Sequence, residues 1–146
     1  MLILVQWYYL ELNLVSEAII YNLTGKILRT ISAPPDMLLM QKQVGEFILY
    51  GTASNLTDCI SQGEVTPRQT QLTMIDKSSI TANGIDLITI TNAPSGTFTA
   101  TNTATRETVT GPISGTDTFS TAIPGTYKIK IESWPYLDFE AEVVAS

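Results

Sequence analysis

Asp138, Glu140 and Glu142 recur every second residue near the C-terminus, and Lys128, Lys130 and Glu132 do the same just upstream. Paired carboxylates can serve general acid–base chemistry or gather calcium. Spacing of two places each trio on one face of a strand, so the plainer reading is a solvated sheet face with cross-strand ion pairs, each contributing ~0.2–1 kcal/mol. Calcium needs six or more oxygens, usually from one loop, and no Asp-rich loop is present. Histidine is absent, which removes the commonest general base and the commonest metal ligand together. The single cysteine, Cys59, excludes an internal disulfide and a Cys-based zinc site, and reads as a half-buried strand residue. No nucleophile elbow, P-loop or dinucleotide fingerprint occurs. The expectation is a protein that is not an enzyme, with no metal and no cofactor.

Aromatic residues offer binding rather than catalysis. Trp134 and Tyr136 flank Pro135 in a turn between two alternating strands, where they either cap the core or form a surface-binding turn. Trp7, Tyr8 and Tyr9 follow one another, so one strand face among them needs a cover from elsewhere. They are the candidate assembly contacts.

These residues must be positioned by strands. Tyr127, Ile129 and Ile131 alternate with Lys128, Lys130 and Glu132, and Leu137, Phe139, Ala141 and Val143 with Asp138, Glu140 and Glu142. Period two gives each strand one apolar and one wet face. Segments 71–76, 85–91, 96–102, 107–110, 116–121, 126–133 and 137–144 read as seven short strands. Turn signals at 82–84, 93–95, 114–115 and 123–125 separate them, as in an immunoglobulin-like sandwich. Tyr127, just after Pro124-Gly125, sits where a tyrosine corner would return its hydroxyl to the backbone.

Composition shifts near residue 69. Threonine occurs five times in residues 1–69 and sixteen times in 70–146. The shift and the Pro/Gly-containing stretch 62–68, read as a linker, predict two domains, 1–69 and 70–146. The first reads as a small α+β module. A hairpin turns at Asn22-Leu23-Thr24-Gly25, a turn or two of helix follows Pro34-Pro35-Asp36, and strands lie at 46–51 and 57–61. Residues 1–17 read as an extension or contact strand. The fold class expected is mainly β: a small N-terminal α+β module followed by an immunoglobulin-like sandwich.

Net charge is −6, and no basic stripe is present to neutralise phosphates, so no nucleic-acid partner is expected. The apolar run at the N-terminus lacks a preceding positive charge and is interrupted by Gln6, Glu11 and Asn13, so neither secretion nor membrane insertion is expected. Two glycosylation sequons, beginning at Asn22 and Asn55, are accordingly read as chance matches.

Residues 18–144 resemble a type of small structural protein encoded by tailed bacteriophages and prophages. The first part is similar to an N-terminal module through residues 24–29, 33–37, 45–51 and 63–68. The second is similar to an Ig-like module through 80–84, 88–90, 93–97 and 124–127. Residues 1–17 depart from that pattern. The resemblance implies a virion protein made in the host cytoplasm, tail or tail-fibre associated, that docks by its first module and displays the second. Its partners would be other virion proteins, with the chain itself oligomeric or multi-copy. The alternatives are a capsid decoration protein and an adhesive module that binds a cell-surface glycan through Trp134 and Tyr136.

Overall fold

A computed structural model describes residues 15–146, which are mainly β with one short helical segment. The chain divides into two compact units after Arg68.

The first unit is built on a three-stranded antiparallel sheet. Strand β1 (Ser16–Asn22) lies between β2 (Ile27–Ala33) and β3 (Glu46–Tyr50). The β1–β2 turn closes on Asn22, whose Oδ1 accepts bonds from the Thr24 and Lys26 amides, both at 3.0 Å. Gly25 follows at φ +79°, a conformation that favours glycine. Alternation along β1 gives both sheet faces something to bury. Ile19 joins Ile27 and Ile60 in one cluster, while Ala18 and Ile20, on the opposite face, are fully buried, as is Leu38.

Leu38 comes from helix α1 (Pro35–Leu38), which has proline in its first turn and Asp36 beside it. A 3-10 turn (Leu39–Gln41) continues it. Ile60 comes from strand β4 (Asp58–Ser61), which pairs with β5 (Glu64–Pro67). The stretch 62–68 is therefore not a linker. Gln62 and Gly63 take φ of 53° and 81°, the two positive values of a type I′ hairpin turn, and the residues after them return as a strand.

In the second unit six strands stand where the turn signals predict seven, and their lengths are far less even. β6 (Met74–Ile75) and β7 (Ser79–Ile80) are two-residue strands, whereas β8 (Leu87–Asn102) and β9 (Thr108–Ser120) run without interruption. The expected turns at 93–95 and 114–115 are irregularities inside this pair. Its register shifts on either side of Ala93, which lies opposite Gly115. Asn92 and Gly115 take φ of 56° and 74°. Pro94, which has no amide hydrogen to donate, is tolerated where the ladder is broken. Beyond the break β8 changes partners. Ile90 and Thr91 pair with β6, and residues 97–102 pair with β10 (Gly125–Glu132). β10 pairs with β11 (Phe139–Ala145), and β11 pairs in parallel with β7.

Both halves of β8 contribute to one core: Ile88 and Ile90 from the first, Ala100 from the second, with Ile129, Ile131 and Val143 from β10 and β11. Phe119 contacts Phe98 and Tyr127, with ring centroids at 6.0 and 5.3 Å. The Tyr127 hydroxyl donates to the Ile123 carbonyl at 2.9 Å and lies 3.0 Å from Thr121 Oγ1, the corner bond expected of this tyrosine.

Candidate functional site

The alternating carboxylates lie where their period requires. Tyr127, Ile129 and Ile131 oppose Val143, Ala141 and Phe139, so Lys128 opposes Glu142 and Lys130 opposes Glu140 on the other face. Lys130 nevertheless makes its ion pairs with Glu132 and Asp138, each at 3.0 Å, and not with Glu140 directly across. Hydrogen bonds to Asp138 and then Glu132 raise its pKa above the ordinary lysine value. Thr99 and Thr101 extend this face on β8. The result is a mixed-sign surface around an open depression of about 440 Å³, lined by Thr99, Thr101, Lys128, Lys130, Glu140 and Glu142.

Other carboxylates are occupied by local structure. Asp76 Oδ1 accepts the Thr89 amide at 2.7 Å, and this lowers its pKa. Asp86 accepts the Lys77 ammonium at 2.6 Å and the Thr81 amide at 2.8 Å, and is lowered mainly by the lysine. Among the described residues no group of three or more His, Cys, Asp or Glu could hold a metal ion. Cys59 is half-buried, with its thiol 3.4 Å from the Thr66 carbonyl across the β4–β5 hairpin.

Trp134 and Tyr136 are both half-buried in the β10–β11 connection, and the Trp134–Pro135 bond is cis. This turn is pinned on several sides. Tyr136 donates its amide to the Ser133 carbonyl at 2.8 Å, and the Ser133 hydroxyl donates to the Ser95 carbonyl at 2.7 Å. Leu137 donates its amide to the Gln69 carbonyl at 2.8 Å. The turn thus lies at the end of the unit where the chain enters it, opposite Gly125 and the C-terminal residue.

The two aromatics are not equivalent. Tyr136 lines an open groove of about 520 Å³ with Thr70, Leu72, Asn92 and Pro94, and no charged side chain lines it; Trp134 is not among its walls. Trp7, Tyr8 and Tyr9 lie outside the described residues.

Four buried polar residues, Gln71, Thr73, Asn102 and Ser133, organise these loops without announcing themselves by any motif. Gln71 donates through Nε2 to the carbonyls of Ile131 and Leu137, both at 2.9 Å, and accepts from the Thr73 hydroxyl. Asn102 accepts the Ala104 and Thr105 amides. Ser133 holds the Ser95 carbonyl. Their one signal in the sequence is a Gln and a Thr two apart in a segment expected to be a strand, where an inward polar pair needs partners.

No family model, curated protein or solved structure matches the chain. No helix among the described residues is long and apolar enough to cross a membrane.

Proposed function

We propose that the chain is a non-enzymatic structural protein of a tailed-phage particle, tail or tail-fibre associated, whose first unit docks to other virion proteins and whose second is an immunoglobulin-like sandwich held outward. The phage assignment rests on the resemblance of residues 18–144. The sandwich reading is supported by the Tyr127 corner bond, the parallel β7–β11 pair and the single core shared by both halves of the bent β8–β9 pair.

The observation that carries the docking role is where apolar surface is left uncovered. Residues 15–68 carry eleven exposed large hydrophobic side chains, among them Leu23, Met40, Val44 and Tyr50, against seven in the longer span 69–146. Exposed apolar side chains that are more frequent on the first unit favour it as the docking unit. The second unit's outer face instead carries Thr99, Thr101, Lys128, Lys130, Glu140 and Glu142, which suits it to solvent.

Quantifying the chain in purified particles tests this. A few copies per particle, matching tail symmetry, are expected. A number near that of the major capsid protein would make it a decoration protein, and absence from particles would remove the reading.

A second reading has its own observation. The uncharged groove beside Tyr136 pairs an aromatic ring with the Asn92 amide and the Thr70 hydroxyl, a set that suits a neutral sugar. A glycan array checks it: Tyr136→Ala should abolish a specific signal that Trp134→Ala reduces less. A wild-type chain that binds nothing would dismiss adhesion.

A further inference from the structure

The edges of the sheets differ in how well they are protected. Unpaired strand edges invite pairing with another chain, and proteins blunt them with short strands, prolines, charges or bulges. β6 and β7 are two residues long. β9 carries Gly111, Pro112 and Gly115 along its length, with register shifts in its pairing to β8. β4 and β5 carry Asp58, Glu64 and Pro67. β2 pairs with β1 through a shifted register.

β3 has no proline and no register shift, and at its start the Glu46 amide donates to the Gln43 carbonyl at 3.1 Å. Its sequence is Glu-Phe-Ile-Leu-Tyr, its pairing with β1 is regular over five positions, and among the described residues its other edge pairs with no strand. Phe47 and Tyr50 are 41% and 57% exposed. The only charge on the strand, Glu46, is held by Arg29 through two 2.7 Å contacts, so it does little to repel an approaching chain.

We propose that the β3 edge is a homodimer interface, in which β3 pairs antiparallel with β3 of a second copy about a two-fold axis at Ile48. This deepens the proposed docking role of the first unit and rests on it. The strand is self-complementary in that register. Ile48 faces its own copy, Phe47 faces Leu49 twice, and Glu46 faces Tyr50 twice. No carboxylate opposes another, and the apolar cross-strand pairs are of the kind that stabilise sheets. The two three-stranded sheets would become one of six strands, with Phe47 flanked by Leu49 and Tyr50 by Glu46 of the second copy.

Sedimentation of the full-length chain over a concentration series, together with cysteine cross-linking, tests the proposal. The wild type should double in mass as concentration rises. The double variant Phe47→Lys/Tyr50→Lys should stay at monomer mass while keeping a cooperative unfolding transition. In a Cys59→Ser background, Ile48→Cys should form a covalent dimer on mild oxidation, because opposed residues in an antiparallel pair have Cα atoms about 4.5–5.5 Å apart, within disulfide reach. Tyr50→Cys, which faces position 46, should not. A wild type that is monomeric throughout, a lysine variant of unchanged mass, or a dimer that Ile48→Cys fails to trap would each overturn the proposal. A monomeric chain still found in particles would sink this interface and leave docking intact. A β3 dimer absent from particles would do the reverse.

Discussion

The guanidinium of Arg29 and the carboxylate of Glu46 meet in parallel, Nη1 to Oε1 and Nη2 to Oε2, each at 2.7 Å, from the two outer strands of a sheet whose central strand separates them. Arg29 also donates to the Gln41 carbonyl, and Glu46 accepts the Gln43 amide. One ion pair therefore ties residues 41–43, at the end of the 3-10 turn, to both outer strands. A bidentate fork of this kind is the strongest geometry available to the two side chains.

This pair sets a pH dependence. The Arg29 hydrogen bonds, followed by the Gln43 amide, hold the Glu46 carboxyl at about 2, down from 4.5. A depressed carboxyl contributes stability that is fully present above its unfolded value and is lost as pH falls through its folded one. The difference in Tm between wild type and Glu46→Gln should be constant above about pH 4.5 and shrink between there and pH 2. A constant difference down to pH 2 would show that the fork does not hold in solution.

Tyr127→Phe removes the corner bond to the Ile123 carbonyl and leaves the ring packed on Phe119. The expected loss is about 0.5–1.5 kcal/mol by urea unfolding. Tyr127→Ala, which also opens a cavity, should cost about 3–5 kcal/mol. Equal losses in the two variants would mean that the bond, and not the packing, carries the position.

Gln71→Leu keeps similar bulk and strips hydrogen bonds from the carbonyls of Ile131 and Leu137. A destabilisation of about 1–3 kcal/mol is expected from unsatisfied buried groups. Faster amide exchange at Leu137 and Tyr136 should accompany it, since Gln71 holds the segment beside that turn. Unchanged exchange there would show that Ser133 and the Gln69 carbonyl hold the turn without Gln71.

Two glycines separate backbone strain from collision. Gly25 and Gly63 have nearly equal φ, 79° and 81°, but a methyl group on Gly25 would run into the Ile60 carbonyl, whereas Gly63 faces open space. Gly63→Ala should cost about 1 kcal/mol from conformation alone, and Gly25→Ala more, with the β4–β5 hairpin loosened. Parity between them in chemical denaturation would mean that the hairpin moves away freely.

What could be read from the sequence was local. The Asn22–Gly25 hairpin, the helical turn after Pro34, strand β3 and the opposed faces of β10 and β11 each follow from a few adjacent residues, because turn chemistry and period two act over that range. The Lys128–Glu142 and Lys130–Glu140 oppositions follow from the same period once the two strands are joined by a short turn. The misreadings were of one kind. Asn92, Pro94 and Gly115 look like turn residues, and the tolerance that suits them to turns also suits them to a bulge. Whether the chain reverses or merely bends there depends on whether a partner strand continues beside it. The stretch 62–68 carries the same ambiguity, since only pairing with β4 makes residues 64–67 a strand. Lys130 chose Asp138 and Glu132 over the carboxylate opposite it, and Gln71 found carbonyls sixty and sixty-six residues away. Composition decided that this protein has no histidine chemistry, and patterning decided which faces are wet. The tertiary structure decided which edge is left open and which aromatic side chain borders a groove, because edges and grooves exist only between segments distant in the chain.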